Sequence, residues 1–178
     1  MQVMPASIED IFTYAALARA AQAWLQARGL GQYVPAAHDE YAAAIRSRVE
    51  SGTLYVVRDN GEAVGFFSLD LSPFPWWPAD ETPAVYLAGM VVARSARGIG
   101  VGSYIIEWCA AEAARLQQQF VRLDCHADNP WLCHYYEAHG FELWGRVDQR
   151  PGYHGCLYQR VVASPVNAPA CDPVAAAE

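Results

Sequence analysis

Apolar residues recur at helical spacing in some stretches of the chain and bunch or alternate as strands do in others. Ile11, Ala15, Ala18 and Leu25 fall on one face and predict a first helix over about residues 8–28, ended by Gly29. Ser7 with Asp10 three positions on resembles a capping box with Asp replacing Glu or Gln. Residues 39–49 read as a second helix closed by Gly52. Ile105, Ile106, Cys109, Ala113 and Leu116 share a face of a third over 103–118, and 130–139 is a short fourth ended by Gly140.

Strand patterns fill the intervals. Residues 53–58 and 63–70 flank Asp59-Asn60-Gly61, a hairpin turn, because Asn and Gly tolerate positive φ. Further strands are expected over 84–92, 120–125, 141–147 and 156–162. Three prolines in Ser72-Pro73-Phe74-Pro75-Trp76-Trp77-Pro78 remove donors and fix the backbone, so this segment is a loop carrying aromatics. The order is mixed α/β, with an antiparallel front half and a strand-helix-strand unit at its centre. One domain is expected over 1–163; the tail 164–178 lacks an apolar face and is expected to be flexible.

Composition narrows the chemistry. The net charge of −7 argues against a nucleic-acid partner, which needs a basic face, and more easily accommodates a cationic or amine substrate. The chain has no Lys, which excludes a phosphate-loop lysine, a Schiff base and self-acylation on lysine. No apolar run is long enough for a membrane helix and the N-terminus does not read as a signal peptide, so a soluble cytoplasmic protein is expected. Five cysteines without Cys-x-x-Cys spacing fit a reduced compartment. Cys125, His126, Cys133 and His134 would divide between a strand and a helix; packing is preferred over a zinc site, and no metal is expected.

The run Arg97-Gly98-Ile99-Gly100-Val101-Gly102 lies between a predicted strand and a predicted helix. Backbone N–H groups and the helix N-terminus converge there, and glycines let a pyrophosphate lie on the amides beside the Arg97 guanidinium. A dinucleotide fingerprint is the rival, with Ser103 at its third glycine position and Asp124 near the acidic one.

This run resembles the signature of the GNAT superfamily of N-acyltransferases: Arg or Gln, two residues, Gly, one residue, Gly or Ala. Met90-Val91-Val92 before it looks like the end of that family's fourth strand, with Arg94 where Pro is common. Asn129, Tyr136 and Gly140-Phe141 resemble its asparagine, helix tyrosine and terminal Gly-Phe.

The resemblance implies a single GNAT-like domain with a short first strand near residues 2–4 and a mostly antiparallel sheet splayed between strands 4 and 5. It implies acetyl-CoA as co-substrate and direct attack by a small-molecule or peptide amine in a ternary complex. Met90, Val91, Val92, Arg97, Gly98, Ile99, Gly100, Val101, Gly102, Asn129 and Tyr136 would bind the coenzyme. Tyr136 would protonate the departing thiolate, a phenol being protonated at neutral pH, with Tyr135 in the core. Gly89 fits either a bulge or an ordinary strand position. Many relatives carry Glu on the fourth strand, where this chain has Tyr86-Leu87-Ala88-Gly89-Met90. Asp124 or Asp70, acting through water, are the favoured bases, with His126 a further candidate. Phe74, Trp76 and Trp77 either wall the amine site or pack on the sheet or at a homodimer contact. A non-catalytic CoA-binding module is the alternative function.

Overall fold

The computed structural model describes residues 1–30, 38–78, 80–150 and 153–162 of the chain. The tail expected to be flexible, 164–178, lies outside the described residues. Strands β1 (Gln2–Pro5), β2 (Leu54–Asp59), β3 (Glu62–Asp70), β4 (Ala84–Val92), β5 (Phe120–His126), β6 (Glu142–Arg150) and β7 (Tyr153–Val161) form one sheet. Its order is β1-β2-β3-β4-β5-β7-β6, antiparallel throughout except for the parallel pair β4–β5. A mostly antiparallel sheet removes the doubly wound dinucleotide alternative.

Helices α1 (Asp10–Gln26) and α2 (His38–Glu50) pack on one face of this sheet, and α3 (Val101–Arg115) and α4 (Pro130–Ala138) on the other. Under α1 and α2, Tyr14 and Ile45 meet Leu54, Val56, Phe66 and Val91. On the opposite face Val101, Ile105, Ile106, Cys109 and Ala113 of α3 pack on Phe67, Val85, Leu87, Val121 and Leu123. Burying a large aliphatic side chain contributes about 1.5–3 kcal/mol. With Ile105 and Ile106 both fully buried, α3 and its N-terminus are held firmly on the sheet.

The turns follow the local chemistry. Asn60 and Gly61 have φ of 48° and 88°, the left-handed pair that joins β2 to β3. Near Ser7 the structure departs from the expected box. The Asp10 carboxylate accepts from the Ser7 N–H at 2.9 Å, but the Ser7 hydroxyl also donates to it and caps nothing. Asp10 is also a buried partner of Arg58 on β2 at 2.5 Å, one carboxylate oxygen serving Ser7 and the other the tertiary ion pair.

Candidate active site

The sheet opens at its centre. β4 stays paired with β3 as far as Val92 but with β5 only over Ala84–Tyr86. Beyond Tyr86, the N–H and C=O groups on the β5-facing edge of β4 have no strand to bond. Ala88, Gly89 and Met90 are only half-buried there, although β4 is an inner strand. A bulge accompanies the divergence. Between the pairs Phe66↔Val91 and Ser68↔Ala88, Gly89 and Met90 oppose Phe67 alone, and Gly89 takes φ +60°. Side chains from three elements clasp the bulge. The Tyr14 hydroxyl donates to the Gly89 carbonyl at 3.4 Å, Ser68 donates to the Ala88 carbonyl at 3.2 Å, and Arg48 donates to Ser68 at 3.0 Å.

At the C-terminal end of β4 the chain makes a 3₁₀ turn, Arg94–Ala96, and enters the glycine loop. Gly98 and Gly100 have φ of +81° and +86°, and a Cβ on either would meet nothing within 4 Å, so glycine is needed there for backbone conformation. Gly102 is needed for space: it lies in the first turn of α3, where a Cβ would stand 2.5 Å from the Tyr135 hydroxyl oxygen. The N-cap Gly100 offers no side-chain cap and the first turn has no acidic residue, an arrangement whose amides and dipole suit an anion. Arg97 and Arg28 both lie over the Trp24 indole of α1, at 4.6 and 3.8 Å from its centroid. Among the described residues neither has a carboxylate partner, which leaves both charges available to an anion.

Across the gap, β5 continues past its last pair with β4, Tyr86↔Arg122, and carries Asp124 and His126 two and four residues further on. Asp124 accepts from Trp76 Nε1 at 3.1 Å and from the Tyr153 hydroxyl at 3.3 Å. His126 is buried rather than exposed; its Nδ1 accepts from the Asp128 N–H at 3.1 Å, which puts the proton of the neutral ring on Nε2, and Tyr153 meets it edge-on at 4.6 Å. Asp70 lies one strand away from the gap, level with Tyr86. Burial raises its carboxyl above the ordinary range, against the lowering effects of Arg48 and Thr53.

The aromatic loop divides in two. Phe74 and Trp76 are half-buried and stacked at 5.1 Å, whereas Trp77 is buried against Tyr86, Trp144 and the Arg122 guanidinium. Arg122, itself fully buried, donates to Tyr86 at 3.1 Å and pairs with Asp80, whose other oxygen accepts from Thr82. This clamp ties the loop to β5 and sets Trp76 against Asp124.

Tyr136 belongs to the other face. It is buried in the core beneath α4, with its ring against Phe141 and Tyr158, while Tyr135 is only half-buried, wedged between α4 and the first turn of α3. The expectation that Tyr135 fills the core therefore holds only in part. Asn129 is the N-cap of α4, its side chain accepting from the Leu132 N–H at 3.2 Å.

The profile of the acetyltransferase (GNAT) family matches residues 19–141, which include the bulge, the glycine loop, Asp124, Asn129 and Tyr136. The chain belongs to the GNAT family of acetyltransferases. It is similar to the uncharacterized N-acetyltransferase YesJ of Bacillus subtilis, 27% identical over 90% of this chain and 89% of that protein. Among solved structures, a GNAT-family acetyltransferase from Streptococcus agalactiae superimposes with a TM-score of 0.75 at 17% identity, covering 92% of this chain and 96% of the other. The putative acetyltransferase yncA of Salmonella typhimurium, solved with its cofactor acetyl-CoA, gives 0.62 at 18% identity over 96% and 99%.

In this GNAT chain the structure brings Asp124 and Trp76 together at the gap, puts Tyr136 on the opposite face, and leaves Asp70 to one side. Cys125 and Cys133 lie 3.7 Å apart, but His134 points to solvent, and no group of three or more metal-ligating residues forms among the described residues. The residues sequence reasoning missed are Tyr14, Arg48 and Ser68 at the bulge, Trp24 and Arg28 beside the cradle, and Tyr153 and Arg122 around Asp124. Only Arg122 carried a signal, a charge flanked by apolar residues on a central strand.

Proposed function

We propose that the protein is an N-acetyltransferase moving an acetyl group from acetyl-CoA to a primary amine of a small molecule or peptide, by direct attack in a ternary complex. The observation that carries this reading is the uncapped N-terminus of α3, preceded by two left-handed glycines and Arg97, at the open end of the β4–β5 gap. The acetyl-CoA in the structure of the Salmonella relative supports the choice of donor.

Amides of residues 99–102 and Arg97 hold the pyrophosphate, and the gap receives the pantetheine arm. An N–H of the Met90–Val92 segment, left without a strand partner, polarises the acyl carbonyl as an oxyanion hole does. Asp124, on the α1/α2 face, takes the proton of the amine through water, and the Phe74–Trp76 stack walls that side. Tyr136, on the α3/α4 face, protonates the thiolate as it leaves. Donor and acceptor thus reach the gap from opposite faces of the sheet. Burial pushes the Cys125 and Cys156 thiols up, which disfavours either of these two as an acyl carrier.

A panel of amines with acetyl-CoA, read by release of free thiol, tests the activity. Tyr136→Phe should lower turnover while CoA binding persists; unchanged turnover removes Tyr136 from the mechanism. Asp124→Asn against Asp70→Asn decides the base. The absence of a carboxylate at positions 86–90 of β4 favours a second reading, a non-catalytic CoA-binding module, for which CoA binds tightly and no amine releases thiol.

A further inference from the structure

Helix α4 carries a ladder of rings at four-residue spacing. Trp131 stacks on Tyr135 with centroids 5.6 Å apart and planes 16° from parallel, and Tyr135 meets the His139 ring at 4.4 Å. The lower rungs are fixed to α3. His139 Nε2 lies 2.8 Å from the Ser103 hydroxyl, and its Nδ1 lies 2.7 Å from the Tyr135 carbonyl oxygen. Since a carbonyl only accepts, Nδ1 carries a proton, and in the neutral ring Nε2 accepts from Ser103. The Tyr135 hydroxyl sits over Gly102, as close as glycine allows. The top rung is bare: Trp131 is 71% exposed, and Tyr135 is its one ring contact among the described residues.

A large flat indole, held by one face and open on the other, stands one ring away from the first turn of α3. That turn is the phosphate cradle of the function proposed above, on which this inference rests. We infer that the outer face of Trp131 is the platform on which the adenine ring of CoA stacks. Beyond the pyrophosphate, on the side away from pantetheine, the coenzyme carries a ribose and a purine. A purine supplies the planar π-face that an open indole accommodates. Tyr135 and His139 act as positioning residues: they hold the indole parallel to one plane and tie that plane to α3.

Exposure of Trp131 makes it safe to truncate, so folding does not confound the test. Binding of CoA and of 4′-phosphopantetheine, which lacks the adenosine, is measured by titration calorimetry on the wild-type chain, Trp131→Ala and Trp131→Phe. The alanine variant should bind CoA roughly tenfold more weakly, the loss typical of one base–aromatic stack, with 4′-phosphopantetheine unchanged. The phenylalanine variant should recover most of the difference. Equal CoA affinity in wild type and Trp131→Ala, or equal loss of both ligands, overturns the platform while leaving the CoA reading intact. A wild-type chain that binds neither ligand overturns both.

Discussion

Replacing Gly89 by alanine tests the physical account of the bulge. Two costs add. An L-residue held in left-handed backbone costs about 1–2 kcal/mol, and Gly89 has φ +60°. The new Cβ would also stand 2.8 Å from the Tyr14 hydroxyl oxygen and 3.3 Å from Arg48 Nη1. Tyr14 cannot swing aside freely, because its ring is buried edge-on against Phe66 at 5.4 Å. Overpacking of this kind costs about 1–3 kcal/mol. Gly52→Ala is the control: φ is +71° and nothing lies within 4 Å, so only the backbone cost applies. Gly89→Ala should therefore exceed Gly52→Ala by about 1–3 kcal/mol, roughly 2–12 °C in Tm for a chain of this size. Urea unfolding measures both. Tyr14→Phe removes the obstructing oxygen, so the double variant should cost less than the sum of the single ones. A Gly89→Ala no worse than Gly52→Ala, or strict additivity with Tyr14→Phe, would refute the reasoning.

Alanine at Gly102 should change sign with its background. Ala gains up to about 1 kcal/mol over Gly in a helix, but here it meets the Tyr135 hydroxyl, so Gly102→Ala destabilises the wild type and stabilises Tyr135→Phe in thermal melts. Removing the N-cap of α4 by Asn129→Ala should cost about 0.5–2 kcal/mol in chemical unfolding. Asp80 has its carboxyl lowered to about 2 by hydrogen bonds from Thr82 and Arg122. Its folded value lies below the unfolded one, so its contribution is present above about pH 4 and lost as pH falls towards 2. The stability difference between wild type and Asp80→Asn, followed by melting from pH 5 to 2, should shrink over that window.

Most elements were legible because each has a local cause. Ala84–Val92 has the expected limits, and Asn60-Gly61 makes the expected turn because Asn and Gly both take left-handed backbone at little cost. Differences arise where partners replace periodicity. α3 starts at Val101 rather than 103, since the last two loop residues join the helix. β6 and β7 run over Glu142–Arg150 and Tyr153–Val161, past the apolar alternation, because ladder bonds hold polar ends such as Asp148↔His154. At the site, the glycine loop was readable from three glycines at alternate positions, Gly98, Gly100 and Gly102. The bond from Trp76 to Asp124 joins residues 48 apart, and no local pattern announces it.

By itself the sequence determined the elements, the glycine loop and the family, because these rest on backbone propensities and on motifs within a few residues. Tertiary structure alone decided that the sheet opens after Tyr86, that Gly89 bulges beneath Tyr14 and Arg48, and that Tyr135 rather than Tyr136 borders the glycine loop at Gly102. It also separated the two candidate proton carriers onto opposite faces. Such outcomes depend on which side chains from distant segments compete for the same space, and that competition exists only once the helices are packed on the sheet.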